Sequence, residues 1–163
     1  DLTDNYNPRE HTLNLSDKLY GSRSIAAIGV AAHECGHAIQ HARHYVPLTV
    51  RSAIIPAANI GSSLAWPLVL IGLIIPRLDF CMTIGILLFS LVVILQLVTL
   101  PVEFNASRRA IQIIRDSGYL APDELKGAKS VLKAAAMTYV AAMVSVSLQL
   151  LRLVILRNSR DDD

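Results

Sequence analysis

Residues 33–37 read His-Glu-Cys-Gly-His, an HExxH sequence with the residue types needed for metal-dependent hydrolysis. His33 and His37 share one face if the segment is helical, so both imidazoles can bind one metal ion. Glu34 projects about 100° around the axis and can reach a metal-bound water without binding the metal. The motif therefore predicts a catalytic zinc site with Glu34 as general base. The simpler alternative is a buried helix with two hydrogen-bonded histidines.

Catalytic zinc requires a third protein ligand, and other histidines are the first candidates. One class of zinc peptidases has a histidine six residues after the second motif histidine, but Arg43 occupies that position here. His41 shares the helix face but lies about 12 Å along the axis from His33, too far to share one ion. His11 and His44 could reach the site only through folding, and a surface or capping role is the simpler interpretation of both.

Glu103 is the better candidate for the third ligand. It directly follows a long apolar segment without charge. A carboxylate there is costly unless it is paired or bound to metal. An ordinary charge at the membrane interface, or an ion pair with Arg108 or Arg109, explains Glu103 equally well, so spacing leaves these interpretations open.

The composition of the whole chain indicates a membrane protein. Of 163 residues, 53% are hydrophobic and 17% are charged, whereas soluble globular proteins carry about 25% charged residues. The net charge of +2 is too balanced for a nucleic-acid-binding surface, so no nucleic-acid partner is expected. Three stretches without charged side chains hold the hydrophobic excess: 52–76, 80–102 and 134–151.

These stretches predict two or three transmembrane helices, since a span needs about 20 apolar residues. The first two suffice, and the short link between them makes a helical hairpin. The third is long enough only if it extends past Arg152 to 153–156. A soluble bundle with buried helices is the alternative, but such long uncharged stretches are rare in soluble cores.

Shorter elements are expected around the spans. Residues 11–16 alternate and predict a short strand, preceded by a turn at Asn7-Pro8. A helix from Ser24 to about His44 carries the HExxH motif, with Ser22 or Ser24 as its N-cap and Pro47 marking its end. The second span is expected to continue as a helix over 103–116, and Ser117-Gly118 ends this helix. Pro122 opens the last helix. The strand could present an edge to an extended peptide or simply cover the motif helix.

The predicted fold is thus a mostly α membrane helical bundle, with an HExxH helix and a short β-strand or hairpin near the N-terminus. We expect residues 1–163 to form a single membrane-embedded domain. Basic residues decide its orientation, because they accumulate on the cytoplasmic side. The segments flanking the helical hairpin, 1–51 and 103–133, are rich in them: Arg9, Lys18, Arg23, Arg43 and Arg51, then Arg108, Arg109, Arg115, Lys126, Lys129 and Lys133. These segments are predicted to be cytoplasmic, although the basic residues after the third span, Arg152, Arg157 and Arg160, weaken the bias.

Several segments together resemble the YugP-like family of neutral zinc metallopeptidases. The resemblance includes the HExxH helix 31–40, the two-span hairpin, and the sequence Glu-Phe-Asn-Ala-Ser-Arg-Arg-Ala at 103–110. It also includes 132–139 and the N-terminal residues 5–8 leading into 13–16. It covers nearly the whole chain, and implies a transmembrane segment ahead of residue 1.

That family is similar in plan to the HtpX-type membrane gluzincins, which carry a ligand Glu in an E-x-x-x-D pattern. The resemblance implies His33, His37 and Glu103 as zinc ligands and Glu34 as general base. Ser107 stands where the HtpX pattern has Asp. The carboxylate that would orient a ligand histidine is then missing, and a hydroxyl can only partly replace it.

The sequence therefore predicts a zinc-dependent membrane endopeptidase with one Zn²⁺ per chain, a peptide or protein substrate, and an active site facing the cytoplasm. Two alternatives remain. One is an intramembrane protease, although the motif helix is too short and too polar to span a bilayer. The other is a non-catalytic zinc-binding membrane scaffold, which would have no need of Glu34.

Overall fold

The computed structural model describes residues 4–161, which form a β-hairpin and five α-helices. In chain order these elements are β1 (Asn5–Asn7), β2 (Thr12–Asn14), α1 (Asp17–Tyr20), α2 (Ile25–Ala42), α3 (Val46–Ile74), a 3-10 helix (Pro76–Leu78), α4 (Phe80–Ser117) and α5 (Pro122–Asp161). The two strands pair antiparallel, with Tyr6 opposite Leu13. The predicted fold class is confirmed: mostly helical, with a small N-terminal hairpin.

Three of the described helices, α3, α4 and α5, are long and apolar enough to cross a membrane. The marginal third stretch lies inside α5, which continues without a break past Arg152. The expected continuation of the second stretch over 103–116 is confirmed, because both form one helix, α4, despite Pro101 in its interior. Two further prolines, Pro56 and Pro67, lie within α3. Interior prolines are tolerated in membrane helices because neighbouring groups satisfy the freed carbonyls.

Local chemistry accounts for several helix ends. The Ser24 hydroxyl accepts a hydrogen bond from the Ala27 N–H and so caps α2. Gly118 follows α4 with φ +68°, the left-handed conformation of a helix C-terminus. The expectation that Pro47 marks the end of α2 is wrong. The helix ends earlier, at Ala42, and Pro47 instead lies in the first turn of α3, where its missing N–H costs no hydrogen bond.

The described chain packs as two compact units. The first contains residues up to Thr49 together with Leu100–Tyr139, so it includes the hairpin and α2. Its core is built from small and medium apolar side chains of α2, α4 and α5: Ala32, Ala110, Ile114, Ala128 and Leu132. Gly36 of α2 lies so close to the backbone of Ala106 that a Cβ there would be 2.6 Å from the Ala106 carbonyl oxygen.

The second unit contains Val50–Thr99 and the residues from Val140 onward. Small residues line the buried face of α3 within it: Ala58, Gly61, Ala65 and Gly72. Small residues let membrane helices approach closely. Many large side chains of this unit are exposed, among them Ile60, Trp66, Ile74, Leu87, Leu97 and Leu148. An apolar exterior of this kind suits contact with lipid.

The C-terminal part of α5 is tied to the link between α3 and α4 within this second unit. Arg157 forms an ion pair with Asp79 at 3.1 Å. Arg160 donates to the carbonyl oxygens of Gly72 at 2.7 Å and Leu73 at 3.2 Å. These carbonyls belong to the last turn of α3 and have no partner within the helix. Arg157 and Arg160, two of the basic residues that follow the third uncharged stretch, therefore satisfy polar groups where α3 is linked to α4.

Substitution of Gly36 by Ala should destabilise the protein, because the new Cβ would meet Ala106 backbone that cannot give way cheaply. We expect a loss of about 1–3 kcal/mol, typical of overpacking. Gly29→Ala on the same helix is the matched control, since its Cβ would be 3.9 Å from Leu132 Cγ, an ordinary contact. That change should be neutral or stabilising by about 0.5–1 kcal/mol. Thermal unfolding in detergent measures both, and equal midpoints would contradict the close approach.

Candidate metal centre

The two motif histidines lie one turn apart on α2 and face a common point. Their ring centroids are 4.7 Å apart, and the rings are nearly perpendicular. Both side chains are largely buried, with 15% of His33 and 13% of His37 exposed. The helix thus presents two imidazoles on the side that packs against α4.

Glu103 of α4 lies opposite this pair and is almost completely buried, with 2% exposed. Its Oε2 atom is 3.1 Å from His33 Nε2 and 3.7 Å from His37 Nε2. One ligand atom from each residue lies within 4.8 Å of the other two. Zinc binds such nitrogen and oxygen donors at about 2.0–2.2 Å, so donors sharing an ion lie roughly 3–4 Å apart. The donor types and their spacing fit a single zinc ion.

Gln40 determines which nitrogen of His37 is available to a metal. Its amide is completely buried and donates to the Val102 carbonyl oxygen at 2.8 Å and to Asn105 Oδ1 at 3.0 Å. Arg109 Nε donates to the same Asn105 oxygen at 2.8 Å. The amide oxygen of Gln40 therefore faces His37 Nδ1, at 2.9 Å, and can only accept. The proton of neutral His37 is held on Nδ1, so Nε2 keeps its lone pair for a metal.

Ser107 contacts Nδ1 of His33, as Gln40 contacts Nδ1 of His37. Its hydroxyl oxygen lies 3.2 Å from His33 Nδ1. The residue is buried, with 7% exposed. Glu103 and Ser107 are one helical turn apart, so the two side chains hold opposite edges of one imidazole. The HtpX-type pattern has a carboxylate at this position, and here a hydroxyl within hydrogen-bonding distance takes its place. His33 Nε2 is left directed at Glu103.

Glu34 is half-buried and receives a hydrogen bond from the hairpin. Its Oε2 atom accepts from the backbone N–H of Tyr6 in β1 at 2.9 Å. Burial raises the pKa of this carboxyl above its usual value, although the nearby charges of His37 and His33 and the Tyr6 hydrogen bond oppose the shift. Glu34 therefore lies beside the histidine pair without belonging to the group of potential ligands.

The remaining histidine candidates lie elsewhere. His41 Nδ1 is 3.0 Å from the Tyr6 hydroxyl, and His11 Nδ1 is 3.4 Å from the same oxygen. His44 is exposed in the connection after α2, with φ +50°. Sequence analysis missed Gln40 and Asn105. A polar residue three positions after His37 was the available signal for Gln40, but its partners come from another helix.

Comparison with known proteins gives two findings. A family model described as "Putative neutral zinc metallopeptidase" matches residues 1–158. A protein of Bacillus subtilis (strain 168), named "Putative membrane protease YugP", is 47% identical over 163 residues, which covers 99% of this chain and 72% of that protein. No solved structure matches.

Replacing Gln40 by Leu should weaken zinc binding by about 10- to 100-fold, the usual effect of removing a hydrogen bond that orients a ligand histidine. The change removes the acceptor of His37 Nδ1 and the side-chain donor to the Val102 carbonyl. Gln112→Leu, at an exposed position of the same helix as Glu103, is the control and should leave affinity unchanged. Zinc affinity is measured by competition with a chelator of known strength. Equal affinities for the two variants would exclude an orienting role for Gln40.

Proposed function

Since the chain belongs to the neutral zinc metallopeptidase family, we propose that it is a zinc-dependent membrane endopeptidase. One observation carries the proposal: the HExxH histidines and Glu103, which are distant in sequence, direct their ligand atoms at one point beside Glu34. The relative from Bacillus subtilis is named as a membrane protease. The three long apolar helices supply the means of membrane insertion.

His33, His37 and Glu103 would hold the zinc ion through two imidazole nitrogens and one carboxylate oxygen. When bound, zinc lowers the pKa of a water ligand to about 7 and polarises the carbonyl of a peptide bond. Three protein ligands leave a coordination position open, as catalytic zinc sites require. Gln40 and Ser107 keep the two rings oriented so that both Nε2 atoms face the ion.

Glu34 is the proposed general base. It accepts the proton of the attacking water and then donates that proton to the departing amine nitrogen. The Tyr6 N–H holds one carboxylate oxygen in place. Burial raises the pKa of Glu34, which brings this carboxyl closer to the range in which it can both take up and release a proton.

Two other functions are less well supported. An intramembrane protease would need its motif helix within the bilayer, but α2 is not among the helices that are apolar enough to span. A non-catalytic zinc-binding scaffold would need the histidines and Glu103 but not Glu34, whose burial costs desolvation. Stoichiometric zinc together with no cleavage of unfolded proteins under any condition would favour the scaffold.

We further propose that residues 1–163 act as one catalytic domain with its zinc site facing the cytoplasm. The support is the excess of Lys and Arg in 1–51 and 103–133. Tyr119, which is 83% exposed, offers a test of this orientation. A cysteine placed there should resist a membrane-impermeant thiol reagent in intact cells, and labelling would contradict the cytoplasmic placement.

Glu34→Gln should keep zinc bound and reduce cleavage of an unfolded substrate such as casein by about 100- to 10,000-fold, the usual range for a lost general base. An amide cannot accept the water proton but preserves the shape of the side chain. Glu10→Gln, an exposed position in the hairpin turn, serves as control. Zinc content and turnover are measured on the same preparations. Unchanged turnover would remove Glu34 from the mechanism.

Glu103→Ala should lower zinc affinity by at least about 100-fold, because loss of a ligand exceeds loss of a group that merely orients one. Glu124→Ala, an exposed carboxylate in the first turn of α5, is the control for removal of one negative charge. Metal affinity is titrated in detergent after removal of zinc with a chelator. Wild-type zinc affinity together with wild-type cleavage of casein in the Glu103 variant would mean that another group is the third ligand.

A further inference from the structure

A second cluster of potential metal ligands lies outside the site described above. The Tyr6 hydroxyl oxygen is 3.0 Å from His41 Nδ1 and 3.4 Å from His11 Nδ1. The centroids of the two imidazole rings are 5.2 Å apart. The three side chains come from β1, the β1–β2 turn and α2, and all belong to the first unit.

We propose that His11, His41 and Tyr6 form a site for a second divalent transition-metal ion, bound through the two Nδ1 atoms and the phenol oxygen. Donors around a tetrahedral zinc ion at about 2.0–2.1 Å lie roughly 3.4 Å from one another. The two oxygen-to-nitrogen distances in the cluster are hydrogen-bond distances that also fit that spacing, and a bound ion would take the place of the phenol proton. Imidazole nitrogens favour zinc, copper and nickel over calcium or magnesium.

The cluster is accessible to an ion from solution. His11 is exposed, and Tyr6 and His41 are half-buried. His11 has φ +54°, a left-handed conformation that is uncommon for a residue other than glycine. Backbone strain of this kind persists where surrounding interactions hold the residue. Here the strained residue is the one that brings a second imidazole to Tyr6.

Metal binding at this cluster would join the hairpin to α2 beside the proposed active site. Tyr6 contacts α2 twice, through its hydroxyl at His41 and through its backbone N–H at Glu34 Oε2, 2.9 Å away. His41 lies one turn beyond His37, and its ring is not part of the group formed by His33, His37 and Glu103. The two sites therefore use different ligands, and either can be removed without the other.

Zinc stoichiometry tests the proposal on the full chain, purified in detergent with an affinity tag that lacks histidine. Equilibrium dialysis against micromolar free Zn²⁺ should load two ions per wild-type chain and one ion in His11→Ala or His41→Ala. His44→Ala, a control histidine with the same left-handed conformation just after α2, should still bind two. Zinc should also raise the thermal unfolding midpoint of Glu103→Ala, and this rise should disappear when His11→Ala is added.

The zinc stoichiometries of variants at the two sites distinguish this site from the proposed catalytic one. Glu103→Ala should retain one ion, held by the second cluster, and the Glu103→Ala/His11→Ala double variant should retain none. Saturation of the wild type at a single ion that is lost in Glu103→Ala would overturn the second site while leaving the first intact. Two ions retained in both His11→Ala and His41→Ala would likewise overturn it.

Discussion

The buried carboxylate of Glu103 is the constraint on which the first unit depends. A carboxylate that is 2% exposed needs a positive partner, and protonated imidazoles, or a metal ion shared with the His33 and His37 nitrogens 3.1 and 3.7 Å away, would supply one. Those contacts require α2 and α4 to lie unusually close, and Gly36 permits this by presenting no side chain to Ala106. The buried Glu103 carboxylate, which would be costly on its own in an apolar helix, thus joins α4 to α2.

The hydrogen bonds around the two histidines fix the orientation of their rings. Val102 offers a carbonyl, which can only accept, so the Gln40 amide must donate to it and turn its own oxygen to His37. Ser107 holds the Nδ1 edge of His33. Both rings consequently present Nε2 toward Glu103. Every buried polar side-chain atom of the described residues has a hydrogen-bond partner, as expected where unsatisfied groups would be expensive.

Features that depend on a few neighbouring residues could be predicted from the sequence, whereas contacts between two helices could not. Uncharged stretches predicted the long helices, and Ser24, Gly118 and Pro122 marked helix ends, because caps and turns are local. Pro47 misled because proline both ends one helix and begins another. The continuation of the second span as a helix over 103–116 was also readable from sequence and is confirmed, since the polarity changes there while the backbone remains helical.

The order of residues alone determined the chemistry available to this protein: an HExxH pair with helical spacing, a glutamate after an apolar segment, and enough hydrophobic length for a bilayer. It also left open whether Glu103 is a metal ligand, an ordinary interfacial charge or the ion-pair partner of an arginine, and it gave no role to Gln40. Only the tertiary structure brought Glu103 to the histidines, Gln40 to Val102, and Tyr6 to His11 and His41. The reason is physical: these contacts join segments far apart in the chain, and their distances depend on how helices pack rather than on local spacing.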